Sequence, residues 1–135
     1  MLRTLMSTRR GRYNRRDHRS DRHIRYQMRV ARILRKHGFQ SVAIEKRLPY
    51  YLPLKNGEVL KIKYRVDVYG RKANRRIAIE IDGYMGHKTQ HAIQMDGLRT
   101  KRLRESYELE RVYRFTFAQL ASWTDEEIAE EMNLL

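Results

Sequence analysis

Two alternating segments joined by a short polar stretch constrain the fold of this chain most. Residues 76–82 read Arg-Ile-Ala-Ile-Glu-Ile-Asp, so the three isoleucines share one side of an extended strand and Glu80 and Asp82 share the other. Residues 59–69 alternate in the same way and are rich in β-branched side chains. The pattern predicts neighbouring strands joined by a polar turn over residues 70–75, centred near Ala73–Asn74.

Such a hairpin would bring Asp67 roughly opposite Glu80, with Asp82 on the same face. Carboxylates that meet on one face raise each other's pKa and cost stability. A divalent cation relieves the repulsion, and Mg²⁺ commonly takes one or two carboxylates and keeps several waters. The acids therefore predict a Mg²⁺ or Mn²⁺ site that lowers the pKa of a water and neutralises a phosphate. The alternative is a solvated strand face with incidental acids.

The rest of the chain adds helices on either side of these strands. Ser20 is a predicted N-cap for a helix over residues 21–37, which has one apolar face and ends at Gly38. The apolar face consists of Ile24, Met28, Ala31 and Leu34. Further predicted elements are a strand at 42–48, a turn at Asn56-Gly57, a helix at 89–110, a strand at 111–117 and a helix from Thr124 through Leu134.

These elements predict an α/β fold with a mixed four-stranded sheet flanked by helices. Their order is helix, three strands, helix, strand, helix. The length of 135 residues suits one domain, which we place at residues 20–135. The absence of cysteine excludes disulfides and cysteine-ligated zinc. Neither a signal peptide nor a membrane span is predicted, which favours a cytoplasmic protein.

Positive charge is concentrated in the first half of the chain. Residues 1–66 carry 19 Lys/Arg and 4 Asp/Glu, whereas residues 67–135 carry 11 and 12. A basic half is typical of proteins that bind polyanions, although a generally basic surface would give the same count. Residues 1–19 have no apolar periodicity and are expected to form a disordered arm along phosphates. The predicted phosphate-binding residues are Arg9, Arg10, Arg12, Arg15 and Arg16 of the arm and Arg25, Arg29 and Arg32 of the first helix.

The helix at 89–110 carries Asp96 and Arg99 within an otherwise apolar face formed with Ala92, Leu103 and Tyr107. Buried charges need partners. One interpretation is a self-contained salt bridge; the other directs Asp96 at His87 and Arg99 at Glu80 or a phosphate. Arg114, on the face of the last strand that carries Val112, could reach the same phosphate.

The series of site residues resembles the PD-(D/E)XK nuclease superfamily, in which an acid on one strand precedes an acid-x-lysine segment on the next. Residues 80–87 read Glu-Ile-Asp-Gly-Tyr-Met-Gly-His and are followed by Asp96-Gly-Leu-Arg99 and Val112-Tyr-Arg114-Phe115. This is similar to the branch related to very-short-patch-repair endonucleases, which has an acid-x-acid-glycine segment, a histidine and then D-x-x-R. The match covers roughly residues 65–117.

The resemblance implies a restriction-endonuclease-like core that hydrolyses DNA with Mg²⁺ or Mn²⁺. Asp67 and Glu80 match the metal-binding acids, and the Ile81 carbonyl is a further ligand. His87 matches the histidine proposed for proton transfer, a role that its ordinary pKa of about 6.5 suits. Asp96 and Arg99 match the helix pair.

Three positions depart from the superfamily pattern. Val66 precedes Asp67 where proline is common, and Asp82 stands where the superfamily has a lysine that orients the attacking water. Lys88 is a candidate substitute for that lysine and is also predicted to bind nucleic acid. The first helix lacks the glutamate often found there, and His23 or Asp21 occupies that neighbourhood.

We therefore expect a DNA endonuclease, acting on double-stranded or structured DNA. Two alternatives stay open: a nucleic-acid-binding module that kept the fold without turnover, and a basic RNA-binding protein. Paired cuts would need two sites and hence a homodimer. An intracellular setting, including a nucleoid or a virus, suits all three hypotheses.

Overall fold

The computed structural model describes residues 20–83 and 89–135, and within them it confirms the predicted α/β fold with a mixed four-stranded sheet. The described residues form four helices, one more than predicted. The predicted arm at 1–19 and the predicted site residues His87 and Lys88 lie outside the described residues. None of the described helices has the length and apolar character needed to cross a membrane. The helices are α1 (Asp21–Lys36), α2 (Gln90–Tyr107), α3 (Phe117–Ser122) and α4 (Asp125–Glu131). The strands are β1 (Gln40–Arg47), β2 (Tyr50–Pro53), β3 (Val59–Ile62), β4 (Arg65–Lys72), β5 (Arg75–Asp82) and β6 (Arg111–Thr116).

The main sheet has the strand order β1-β4-β5-β6. The pairs β1–β4 and β4–β5 are antiparallel, and β5–β6 is parallel because α2 carries the chain back across the sheet. The three isoleucines of β5 pack in the core on the α1 side, as their alternation predicts. On the other side, Ala78 packs with Leu103 of α2.

Helix α1 begins at the predicted cap, and its buried side overlaps the predicted apolar face only in part: Ala31 and Leu34 are buried as predicted. The Ser20 hydroxyl accepts a hydrogen bond from the His23 N–H at 3.0 Å. The predicted apolar face is wrong at Met28, which is 55% exposed, whereas His23 and Gln27 are buried. The buried side of α1 faces β1 and β4, and near the start of the helix it meets polar groups rather than the apolar core.

The turn between β4 and β5 is shorter than predicted. Its centre at Ala73–Asn74 is confirmed, since Lys72 pairs with Arg75. Gly70 belongs to the strand rather than to the turn. A Cβ atom there would lie 3.1 Å from Leu34 Cδ1 and 3.2 Å from Phe39 Cδ2, so glycine allows α1 and the following segment to approach the sheet closely.

The single strand predicted at 59–69 is wrong, because the chain changes partner near Tyr64. Strand β3 pairs with β2 in a separate antiparallel hairpin, from Tyr50↔Ile62 to Pro53↔Val59. The Tyr64 carbonyl then accepts a hydrogen bond from the Leu48 N–H at 2.9 Å, and β4 enters the main sheet. Alternation continues on both sides of this change, so the residue pattern alone does not reveal it.

The elements after β6 also differ from the prediction. Helix α3 was not predicted: Thr116 ends β6 and caps α3, and Gln119 completes a capping box. Helix α4 begins after the Thr124 cap as predicted but ends at Glu131 rather than Leu134. Helix α2 was predicted over residues 89–110; in the structure Thr89 is its N-cap, and it stops at Tyr107, where Glu108 adopts a left-handed backbone.

Candidate metal centre

A polar cluster lies where β4 and β5 stop pairing. The last pair of the β4–β5 ladder is Val68↔Ile79. One residue beyond it, the Asp67 side chain supplies the hydrogen-bond acceptor in place of the backbone. Its Oδ2 accepts a hydrogen bond from the Ile81 N–H at 2.7 Å. Asp67 is only 6% exposed, so its carboxylate is held in a fixed position within the protein.

Helix α1 contributes His23 and Gln27 to this cluster. The two residues are four apart and therefore lie on the same helical face. His23 Nε2 lies 3.1 Å from the Ile81 carbonyl oxygen and 3.6 Å from Asp67 Oδ2. Because a carbonyl only accepts hydrogen bonds, Nε2 is the protonated nitrogen in this arrangement.

Strand β1 contributes Glu45, which adopts a left-handed backbone with φ of +52°. A residue other than glycine rarely takes this conformation, and in a strand it redirects the side chain. The carboxylate of Glu45 accepts a hydrogen bond from Gln27 Nε2 at 2.8 Å. The same amide nitrogen donates to Asp67 Oδ1 at 3.3 Å, so one amide bridges two carboxylates.

His23, Glu45 and Asp67 each offer one ligand atom, and these atoms lie within 4.8 Å of one another. Gln27 Oε1 is buried beside them without a hydrogen-bond partner among the described residues. Leaving a buried carbonyl oxygen unpaired costs about 1–3 kcal/mol. Two carboxylates, this unpaired oxygen and either the Ile81 carbonyl or the His23 imidazole form a donor set that fits a divalent cation.

Glu80 lies on the α2 side of the sheet and is held by Arg99. Glu80 Oε1 and Arg99 Nη1 are 2.5 Å apart. The pKa of Glu80 is raised from 4.5 to about 7: burial is the largest cause and the charge of Asp67 adds to it, whereas Arg99 and Arg114 oppose the shift. The carboxyl of Glu80 therefore exchanges its proton near neutral pH.

Arg99 is held in position from several directions. In addition to the ion pair with Glu80, its Nη2 donates to the Arg65 carbonyl, and its guanidinium lies over the Tyr64 ring, 5.5 Å from the centroid. Of the two interpretations of this residue, the pairing with Glu80 is the one observed. A guanidinium fixed in this way loses little entropy when it binds an anion.

The structure groups Asp67 with His23 and Glu45, rather than with Glu80 as the hairpin pattern predicts. Beyond Val68 the two strands no longer pair, so Asp67 reaches α1 while Glu80 reaches α2. The two acids remain electrostatic neighbours, because the charge of Asp67 contributes to the raised pKa of Glu80. The predicted ligand Ile81 has its carbonyl in the cluster.

Other predicted site residues are less closely connected to the cluster. Asp82 is half-buried at the end of β5, opposite Thr116 of β6, and Asp96 is half-buried on α2. The suggested pairing of Asp96 with His87 stays a prediction, since His87 lies outside the described residues. Arg114 donates to Thr100 Oγ1 at 2.7 Å and lowers the pKa of Glu80 by its charge.

The arginines of α1 that were predicted to bind phosphate divide into two kinds. Arg25 and Arg32 are exposed and available to a ligand. Arg29 instead joins α1 to the last two helices: it donates to Asp125 Oδ1 at 2.8 Å, to the Trp123 carbonyl at 2.7 Å and to the Leu120 carbonyl. This placement favours a structural role for Arg29. The five arginines predicted in the arm lie outside the described residues.

Sequence reasoning missed Gln27 and Glu45. Gln27 could have been found from the spacing, since it lies four residues after His23, which stands where the superfamily often has a glutamate. Glu45 gives no such signal. Its carboxylate reaches the cluster only because β1 pairs with β4 and its own backbone is left-handed.

No protein-family model matches this chain, and no curated protein does. Among solved structures, it is similar to a crystal structure of a protein of unknown function, AF1548, with a TM-score of 0.50 and 16% identity. The similarity covers 83% of this chain and 55% of that one, so the chain spans about half the length of this neighbour. At this identity the likeness concerns the fold alone.

Proposed function

We propose that this protein is a metal-dependent nuclease with a restriction-endonuclease-like core. The observation that carries the proposal is the group of His23, Glu45 and Asp67 beside the Ile81 carbonyl, in which His23 and Asp67 are buried and Glu45 is half-buried. Two carboxylates that share one amide donor next to an unpaired buried oxygen form a site that a cation would stabilise. The charge of +14 over the whole chain supports a polyanionic substrate.

Glu45 and Asp67 would hold the ion, together with the Ile81 carbonyl or His23. Oxygen donors suit both Mg²⁺ and Mn²⁺, and coordination by the imidazole would favour Mn²⁺. When bound, such an ion lowers the pKa of a coordinated water and offsets charge on a phosphodiester. The Gln27 amide would turn over in that state, because its Nε2 now lies between the two carboxylates and its Oε1 is the better ligand.

Glu80 and Arg99 would act on the other side of the reacting phosphate. With a pKa of about 7, Glu80 can accept a proton from an attacking water at neutral pH. Arg99 orients this carboxylate and supplies positive charge. Glu80 thus takes a proton-transfer role in this proposal rather than that of a metal ligand, and His87 remains a predicted second proton carrier.

The test is a cleavage assay on supercoiled, single-stranded, mismatched and branched DNA, with Mg²⁺, Mn²⁺ or chelator. Asp67→Asn should abolish cleavage and weaken metal binding measured by calorimetry, because it removes a ligand charge. Glu130→Gln, a change of an exposed acid on α4, is the matched control and should leave both unchanged. Cleavage that persists in Asp67→Asn, or in chelator, would contradict the proposal.

A second candidate is a nucleic-acid-binding module without hydrolysis. The ion pair of 2.5 Å between Glu80 and Arg99 favours it, since Arg99 occupies the carboxylate that should be free to take a proton. Asp82 in the place of the superfamily lysine points the same way. Metal binding and DNA binding without cleavage of any of the four substrates would select this candidate.

A further inference from the structure

A basic groove of about 700 Å³ lies between the β2–β3 hairpin, the start of β4 and α2. Among the described residues, its wall contains five cationic side chains and no acidic one: Arg47, Lys61, Lys63, Arg65 and Arg99. Like charges this close repel one another and cost stability. The groove therefore suits a ligand that carries several negative charges in a row.

The five cations divide into three at the outer end and two at the inner end. Arg47, Lys61 and Lys63 have no acidic partner in residues 20–83 and 89–135. The other two connect the groove with the carboxylates described above. Arg65 Nη1 lies 3.3 Å from Glu45 Oε1, and Arg99 pairs with Glu80. An extended ligand that lies along the groove would therefore reach both Glu45 and Glu80.

Aromatic rings hold the inner end in place. The Tyr64 hydroxyl accepts a hydrogen bond from Arg102 Nη1 at 3.1 Å, while its ring underlies Arg99. Arg102 also lies over the Tyr50 ring, 4.8 Å from the centroid. These interactions order long side chains before any ligand arrives, which reduces the entropy lost on binding.

One exposed ring favours a nucleic acid over another polyanion. Tyr51 is 57% exposed and is the direct cross-strand partner of Lys61, so both lie on the same face of the hairpin. A free ring beside cations allows a nucleobase to stack while its phosphate meets the lysines. An acidic peptide or an inorganic anion has no nucleobase that could stack on this ring.

We propose that this groove binds the sugar–phosphate backbone of a nucleic acid strand, with Lys61, Lys63 and Arg47 on phosphates and Tyr51 against a base. The strand then passes Arg65 and Arg99 toward Asp67. The choice of a strand to be cleaved rests on the proposed nuclease function, but binding in the groove does not require hydrolysis or a metal. The described residues that line the groove belong neither to the arm nor to α1, the two segments to which the charge pattern alone assigns phosphate binding.

The test is fluorescence anisotropy with labelled 20-nucleotide single-stranded and duplex DNA, in EDTA, from 50 to 200 mM salt. The double variant Lys61→Ala/Lys63→Ala should bind single-stranded DNA at least fivefold more weakly. Its salt dependence should flatten by about 1.4 in log–log slope, at about 0.7 for each phosphate that is no longer neutralised. Tyr51→Ala should weaken binding without changing the slope. The control is Lys55→Ala, an exposed lysine in the turn of the same hairpin and outside the groove.

The groove assignment would be overturned if Lys61→Ala/Lys63→Ala had the same affinity and slope as Lys55→Ala. It would also be overturned if the double variant lost as much affinity for polyglutamate of the same length as for single-stranded DNA. The failures of the two proposals are distinguishable. Groove-dependent binding without metal-dependent cleavage contradicts only the nuclease proposal. Metal-dependent cleavage that Lys61→Ala/Lys63→Ala leaves intact, with unchanged binding, contradicts only the groove. No binding of any nucleic acid by the native protein contradicts both.

Discussion

The amide of Gln27 separates two carboxylates that would otherwise face each other inside the protein. Its nitrogen donates to Glu45 and Asp67, and its oxygen has no partner among the described residues. The amide nitrogen thus offsets the repulsion between the two carboxylates, whereas the amide oxygen lacks a hydrogen-bond donor among the described residues. Both properties are explained if the residue alternates between a bridging donor and a metal ligand.

Replacing this amide gives a first prediction. Gln27→Leu should lower the free energy of unfolding in chelator by about 2 kcal/mol, because it leaves the buried Asp67 and the half-buried Glu45 without their shared donor. Mn²⁺ should restore part of the loss by neutralising the same carboxylates. Urea unfolding with EDTA and with Mn²⁺ measures both effects. Gln94→Leu, an exposed glutamine on α2, is the control; equal losses in the two variants would argue against a bridging role.

The raised pKa of Glu80 gives a second prediction at the residue scale. Its pKa rises from 4.5 to about 7 on folding, so the folded protein keeps a proton that the unfolded chain releases. Stability should therefore fall as the pH rises from about 4.5 to 7, at up to about 1.4 kcal/mol per pH unit. The total over this window is about 2–3 kcal/mol.

Glu80→Gln cannot titrate and should lack this loss. The unfolding free energy of Glu80→Gln minus that of the native protein should therefore increase as the pH rises from about 4.5 to 7. Chemical denaturation in EDTA at a series of pH values measures it, with the exposed acid change Glu130→Gln as the control. A difference that stays constant from pH 4 to 8 would show that Glu80 titrates in its ordinary range.

At the scale of elements, the position of α1 decides which groups meet. The helix packs on β1 and β4, and Arg29 joins it to the loop and helices that follow β6. Close approach to the sheet brings His23 and Gln27 to the point where β4 and β5 separate. The geometry of the candidate metal centre therefore depends on how tightly this helix lies against Gly70.

Two glycines test this dependence. Gly70→Ala should destabilise the protein by about 1–3 kcal/mol, because the added Cβ would lie 3.1 Å from Leu34 Cδ1 and force α1 away from the sheet. Gly97→Ala, in α2, meets nothing within 4 Å and should stabilise the protein by about 0.5–1 kcal/mol. Thermal unfolding measures both. A Gly70→Ala variant as stable as the native protein would contradict the close packing.

At the scale of the whole molecule, positive charge predominates over negative charge. The exposed arginines of α1, the groove and residues 1–19 all contribute to the charge of +14. This charge steers polyanions to the protein but carries no information about their sequence. Recognition of a particular substrate, if it occurs, must come from the shape of the strand that the surface accepts.

Deletion of residues 1–19 gives the prediction that belongs to this scale. The segment contains seven arginines, so its removal should weaken binding to duplex DNA and flatten the salt dependence by about 0.9 in slope for each phosphate that it neutralises. Anisotropy over a salt series measures this. Replacement of its arginines with serine keeps the length and should give the same result. An unchanged slope would remove the segment from the binding surface and leave the groove and α1.

The residue pattern was sufficient for the local structure. It predicted the Ser20 and Thr124 caps, the centre of the β4–β5 turn and the isoleucine face of β5, because caps, turns and alternation depend on neighbours along the chain. Asp67 and the Ile81 carbonyl, both predicted as metal ligands, lie in the candidate centre, and their role as ligands stays a prediction. The extent of α1 followed from its cap and its glycine stop for the same reason.

Only the tertiary structure decided which side chains share the centre. Gln27 and Glu45 join Asp67 through the packing of α1 and the pairing of β1 with β4, which connect residues up to 40 positions apart. The division of the predicted strand at 59–69 likewise required a change of partner that alternation does not encode. Residue patterns report which face of an element is apolar, whereas the partners of a polar group depend on contacts that are distant in sequence.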